Sequence, residues 1–162
     1  MKRLIILGAL LISISANAQV AKDSVYLLIR SLISPATNVV RTANLDSAAA
    51  FHARYLISNK TSGHLEPDSP TTYTPMRRAE KFGDWGMGVY EVCWTGMPGY
   101  NMPTSIKGSI DLFKISEKHW YIMTTAMSNR TDVRFGYSFI QGKDWVACVI
   151  IYSCGPQVKS NP

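Results

Sequence analysis

The stretch Ile110-Asp111-Leu112-Phe113-Lys114-Ile115-Ser116-Glu117-Lys118-His119-Trp120-Tyr121-Ile122-Met123 decides how this chain is read. It opens as an amphipathic helix, with Ile106, Ile110 and Phe113 at helical spacing behind a Thr104/Ser105 cap. It then sets a polar knot, Ser-Glu-Lys-His, against Trp120, Tyr121, Ile122 and Met123. His119 is the residue of interest, because imidazole titrates, ligates metals and moves protons near neutral pH. A lone histidine beside large aromatics is more often a hydrogen-bonded packing residue, so the balance rests on what lies upstream.

The first residues read as a processing signal. Lys2 and Arg3 make a basic start, Leu4 to Ile14 an apolar run, and Ala16-Asn17-Ala18 a small-x-small cleavage site, so residues 1–18 are expected to be a signal peptide. Gln19, not a cysteine, directly follows the cleavage site, and no later apolar run reaches membrane-spanning length. Residues 19–162 are therefore expected to be one exported domain, secreted or periplasmic, without a transmembrane anchor. The formal net charge of +6 is scattered in short pairs such as Arg77-Arg78. No basic run is interleaved with aromatics, which argues against nucleic-acid binding.

Cys93, Cys148 and Cys154 allow one disulfide in any of three pairings, or three buried thiols. The absence of a Cys-x-x-Cys motif argues against a redox or zinc-ribbon role.

Taken in order, Asp23 or Ser24 caps a first helix whose Val25, Leu28, Ile29 and Leu32 share a stripe, ending before Pro35. A connector through Asn38-Val39-Val40 leads to a second cap at Asp46 or Ser47 and a helix from Ala48 to Asn59 with a slim alanine face. His52 sits in that helix with no acidic neighbour one turn away and reads as structural. His64 follows Gly63 in a Thr-, Ser-, Pro- and Asp-rich loop from Lys60 to Tyr73, where a rigid helix presents polar groups. Thr74, Pro75 and Gly83 bracket a short third helix.

The segment Gly88 to Trp94 alternates, with Tyr90, Val92 and Trp94 on one face and Val89, Glu91 and Cys93 on the other. A carboxylate in apolar company must be paired, hydrogen-bonded or protonated. After a Gly- and Pro-rich loop from Met97 to Pro103 and the helix quoted above, Val133 to Gln141 and Trp145 to Tyr152 form a hairpin around Gly142-Lys143-Asp144. The last strand is almost wholly apolar, so it is covered on both faces. These elements define an α+β chain, an α-β-α sandwich with a small, mainly antiparallel central sheet between helical layers. Residues 156–162 are expected to be a frayed tail.

The order of these features resembles the CAP superfamily, the SCP-like domain of cysteine-rich secretory proteins, insect venom antigens and plant pathogenesis-related proteins, in its bacterial form. Leu45 to Tyr55 resembles the family helix with an Ala pair followed by His-Ala, and Ser62-Gly63-His64 its loop histidine. Thr74-Pro75 through Gly83 is similar to the following short helix, and Gly88-Val89-Tyr90-Glu91 stands where the family carries Gly-Glu-Asn. Phe113 to His119 is similar to the bacterial Trp-x-x-Ser-Pro-Gly-His signature. The resemblance implies a cleft lined by two histidines and two glutamates, which binds a divalent metal in several members. Carried over, the matching positions are His64, Glu91 and His119. His64 and His119 would hold zinc or another divalent cation, with Glu91 as a ligand or behind one. Ser116 stands at the second glutamate position, Tyr90 and Val92 flank Glu91 in place of Gly and Asn, and Phe113 replaces Trp.

Three functions follow as expectations. The first is an exported binding module with a His/Glu-lined cleft for a divalent metal or small ligand, engaging an envelope polymer, lipid or protein partner. The second is a hydrolase, metal-dependent or with Ser116 as nucleophile, His119 as base and Glu91 orienting it, although no Gly-x-Ser-x-Gly elbow or oxyanion hole is apparent. The third is a structural domain with a vestigial cleft, acting through its loops Lys60 to Tyr73 and Gly96 to Pro103. The first predicts that His64 and His119 come within reach of a shared ligand while His52 stays outside.

Overall fold

A computed structural model describes residues 23–98 and 102–157. The expected signal peptide, 1–18, lies outside the described residues. So do 158–162, but Pro156 and Gln157 pair with Thr131 and Arg130, so the expected tail is held further than the sequence suggests.

Helix α1 (Ser24–Leu32) is capped by Asp23, whose carboxylate accepts from the Val25 and Tyr26 amides. Strand β1 (Asn38–Arg41) follows, and helix α2 (Ala43–Ser58) starts at once behind Thr42. Both depart from expectation. Asn38 to Val40 is a strand and not a connector, because it pairs in parallel with β3 (Asp132–Gln141), Val39 opposite Val133. That partner is distant in sequence, and four residues with one buried side chain carry little local signal. Asp46 is not the cap, since its carboxylate binds the Arg41 guanidinium and the Tyr137 amide, tying the start of α2 to β3.

Helix α3 (Pro75–Lys81) has Thr74 as cap, Pro at its first position and Gly83 at φ +84° just beyond its end. Strand β2 (Gly88–Gly96), helix α4 (Ile106–Lys114), the short helix α5 (Glu117–Tyr121) and a wide π turn at Ile122–Ala126 lead to β3 and β4 (Val146–Cys154). Gly142 and Trp145 close the β3–β4 hairpin.

The sheet runs β1-β3-β4-β2, antiparallel except for the β1–β3 pair. Every β4 residue is buried, as its composition predicts for a strand covered on both faces. One face packs Val92, Phe135, Cys148, Ile150 and Tyr152 against α1, α4 and the π turn through Ile29, Ile110, Phe113 and Met123. The other packs Cys93, Ala147, Val149 and Ile151 against α2 and α3 through Leu45, Ala48, Ala49, Ala53 and Ala79. Each buried Leu or Ile contributes about 1.5–3 kcal/mol relative to exposure. The chain is thus mixed α+β, with helical layers on both faces of a small sheet. Among the described residues no helix is long and apolar enough to cross a membrane.

The faces also decide the cysteines. All three are buried free thiols. Cys93 belongs to the α2/α3 side of the sheet, Cys148 and Cys154 to the other. A bridge from Cys93 to either would have to pass through the sheet, and side chains that point apart cannot be joined without moving the backbone. Cys148 and Cys154 are separated along one strand by about 20 Å at ~3.3 Å per residue, well beyond disulfide reach.

Candidate functional site

The site is built outward from a buried ionic cluster. The small residues Ala48, Ala49 and Ala53 let α2 lie close to the sheet, and His52 enters the interior beside them, fully buried. Its Nδ1 lies 2.7 Å from Glu66 Oε1, and its Nε2–H donates to the Gly63 carbonyl at 2.9 Å. Gly63, at φ +108°, holds a backbone conformation that suits glycine. Its carbonyl also accepts from the Cys93 thiol at 3.3 Å.

Arg78 comes from α3 and is likewise fully buried. Its Nη2 donates to Glu91 Oε2 at 2.7 Å and to the His64 carbonyl at 3.0 Å, while Nη1 donates to the Thr72 carbonyl at 3.0 Å. Nη1 also lies 3.5 Å from Glu66 Oε1. One guanidinium therefore touches both buried carboxylates and two separate points of the loop that carries His64. Its planar, multi-donor fork suits that task in a way an ammonium would not.

Glu91 links the buried cluster to the surface. Its Oε1 lies 3.0 Å from His64 Nδ1 and 3.5 Å from His52 Nε2. Burial pushes its carboxyl up, but the His64 hydrogen bond, the Arg78 charge and the His52 charge outweigh that and hold it below the usual carboxylate range. An ionised carboxylate only accepts, so His64 Nδ1–H donates to it, which leaves Nε2 as the ring nitrogen that Glu91 does not engage. The His64 side chain is 43% exposed, and among the described residues its Nε2 has no hydrogen-bond partner.

His119, on α5 in the opposite helical layer, stands edge-on to Phe113 at 5.2 Å between ring centroids and 6.3 Å from the His64 ring. Burial, and secondarily the His64 charge, lower its pKa below the ordinary histidine value. The two layers meet here at the β2 end of the sheet.

The structure thus brings Glu91, His64 and His119 into one neighbourhood. It also brings in His52, which the sequence reading left outside. His52 is a satisfied core histidine as expected, but its carboxylate partners come from the loop and from β2, where helical spacing does not look. Glu66 and Arg78 were missed altogether. A lone Glu in a polar loop and one Arg of an adjacent pair carry no mark of burial in sequence. Ser116 is the N-cap residue of α5 and makes no capping bond through its side chain. Among the described residues no hydrogen bond joins Ser116 to His119 or His119 to Glu91; the Glu91 oxygens go to His64 and Arg78.

Two donor sets are available to a metal. Donor atoms of His52, Glu91 and Cys93 all lie within 4.8 Å of one another, a buried group that could gather an ion. The surrounding chemistry opposes it. Both His52 nitrogens are engaged, the Arg78 cation sits on Glu91, and burial pushes the Cys93 thiol far up, away from the thiolate a metal needs. The second set is the outer pair, His64 and His119, where a carboxylate stands behind His64.

No family model matches the chain, and no curated protein matches it. Two solved structures are similar in fold. An outer surface protein from Borrelia burgdorferi has a TM-score of 0.59 at 14% identity, over 86% of this chain and 92% of that one. An extracellular protein containing an SCP domain from Bacillus anthracis has a TM-score of 0.55 at 14% identity, over 78% of this chain. The chain spans 38% of the length of the latter. The fold is therefore SCP-like.

Proposed function

We propose that this is an exported binding module of SCP-like fold whose cleft holds a divalent cation, zinc by preference for imidazole donors, between His64 and His119. The observation that carries the reading is the Glu91–His64 hydrogen bond at 3.0 Å, which leaves Nε2 of the half-exposed His64 free, with the His119 ring 6.3 Å away. Glu91 then acts from behind His64, and Arg78 keeps that carboxylate ionised and in place. The cation would supply a positive, Lewis-acidic point for an anionic or carbonyl-bearing ligand. The extracellular and outer-surface character of the two similar structures supports export through the sequence-predicted leader.

The test is isothermal titration of zinc into the wild-type protein, His64→Ala, His119→Ala and His52→Ala. Binding that is lost in the first two variants supports the reading. A wild-type protein that takes up no zinc, or undiminished binding in His64→Ala and His119→Ala, ends it. His52→Ala distinguishes the two donor sets, since loss there alone would move the ion to the buried group.

A further inference from the structure

The segment between α3 and β2 alternates between pinned and exposed positions. Asp84 is buried, and both its oxygens are taken by Arg134, Oδ2 by Nε and Oδ1 by Nη2, each at 3.0 Å, with the Ser153 hydroxyl also donating to it. Gly86 packs so tightly on Ser153 that a Cβ there would lie 2.0 Å from its Oγ, and the Met87 amide donates to the Cys154 carbonyl at 3.0 Å. Between these fixed points Trp85 stands 75% exposed. An indole left in water forgoes one of the largest burial gains available to any side chain. Here it does so on a backbone pinned on both sides, so the ring is presented rather than loose.

Trp85 forms one wall of a groove of about 490 Å³ completed by Pro70, Thr71, Arg77, Glu80 and Lys81. Arg77, Glu80 and Lys81 lie at i, i+3 and i+4 on α3 and share its outer face. Arg77 reaches Glu80 only at 3.3 Å across an exposed surface, an attraction worth little in water, and Lys81 rests 4.2 Å over the Phe51 ring without a carboxylate partner among the described residues. The groove thus offers two cations against one carboxylate beside a flat aromatic face.

We infer that this groove binds an acidic polysaccharide segment, such as a uronic-acid chain. A pyranose ring presents an apolar C–H face that an exposed indole covers, and its hydroxyls match Thr71 and Glu80. Its carboxylates pair with Arg77 and Lys81. The pair of cations beside a single aromatic wall favours an acidic glycan over a lipid surface, which is met by a broad apolar face.

The test uses trigalacturonate, maltotriose and phosphatidylglycerol vesicles with the full chain, read by isothermal titration calorimetry. Trigalacturonate is expected to give a saturable change that weakens with salt, with affinity reduced about tenfold or more in Trp85→Ala and severalfold in a double Arg77→Ala, Lys81→Ala variant. These residues are on the surface, and unchanged circular dichroism and urea midpoints would show the variants folded. No saturable binding, binding indifferent to Trp85→Ala, or maltotriose binding as tightly as trigalacturonate overturns the inference. Binding to vesicles alone overturns it in favour of a membrane surface.

Discussion

Arg78 and Glu91 form a fully buried ion pair, Nη2 to Oε2 at 2.7 Å, that joins helix α3 to strand β2 and is wrapped by the loop carrying His64. A buried pair of this kind is seldom a net gain over apolar packing, but removing one partner leaves the other charge unpaired away from water. Arg78→Met is therefore expected to lower stability by about 3–5 kcal/mol. Urea denaturation followed by circular dichroism checks this; a loss under about 1 kcal/mol would mean that water reaches Glu91 and takes the place of Arg78.

The same pair sets an acid limit. Glu91 has a folded-state pKa below its unfolded value of 4.5. Its contribution is fully present above 4.5 and is lost as pH falls through the folded value. The thermal midpoint of the wild type should hold from neutrality toward 4.5 and then decline, while Glu91→Gln starts lower and declines less steeply. Parallel curves for the two proteins would show that other carboxylates govern acid unfolding.

The cysteines should behave as core residues. Burial pushes the Cys148 and Cys154 thiols up to about 12 and about 11, and Cys93 further. In the native protein a thiol-specific disulfide reagent should react slowly or not at all, and all three thiols should titrate once guanidinium unfolds the chain. Reductant should leave the thermal midpoint unchanged. A midpoint that drops with reductant would reveal a disulfide and contradict the separation imposed by the two sheet faces.

At Gly136 the start of α2 lies tight against the sheet. A Cβ there would lie 2.1 Å from the Leu45 carbonyl carbon and the Asp46 amide nitrogen. Those are backbone atoms and cannot swing aside. Gly136→Ala should cost about 3 kcal/mol or more, at the upper end for overpacking. A near-neutral result in urea denaturation would mean that the start of α2 lifts away at little expense.

Much of the architecture was legible because its causes are local. The Asp23, Thr74 and Ser105 caps, the alternation that puts Glu91 and Cys93 opposite Val92 and Trp94, and the unbroken burial of β4 all arise from residues within a few positions of one another. Where the local signal was short, it failed. β1 has four residues, and the parallel partner that makes it a strand enters the chain only after α5 and the π turn. Thr42 rather than Asp46 caps α2 because Asp46 answers Arg41 and the Tyr137 amide, a demand that exists only once β3 lies alongside.

The sequence by itself determined most of the helices and strands, a sheet covered on both faces, and His64, Glu91 and His119 as candidates that fall in one neighbourhood. Only the tertiary structure decided what surrounds them. His52, Glu66 and Arg78 meet Glu91 because α2, the loop, α3 and β2 each bring one side chain to the same interior point. Caps and periodicity act over one helical turn or one strand step. The pairing of buried charges depends on which elements the sheet order sets side by side, and on the cost of leaving any one charge alone in a dry interior.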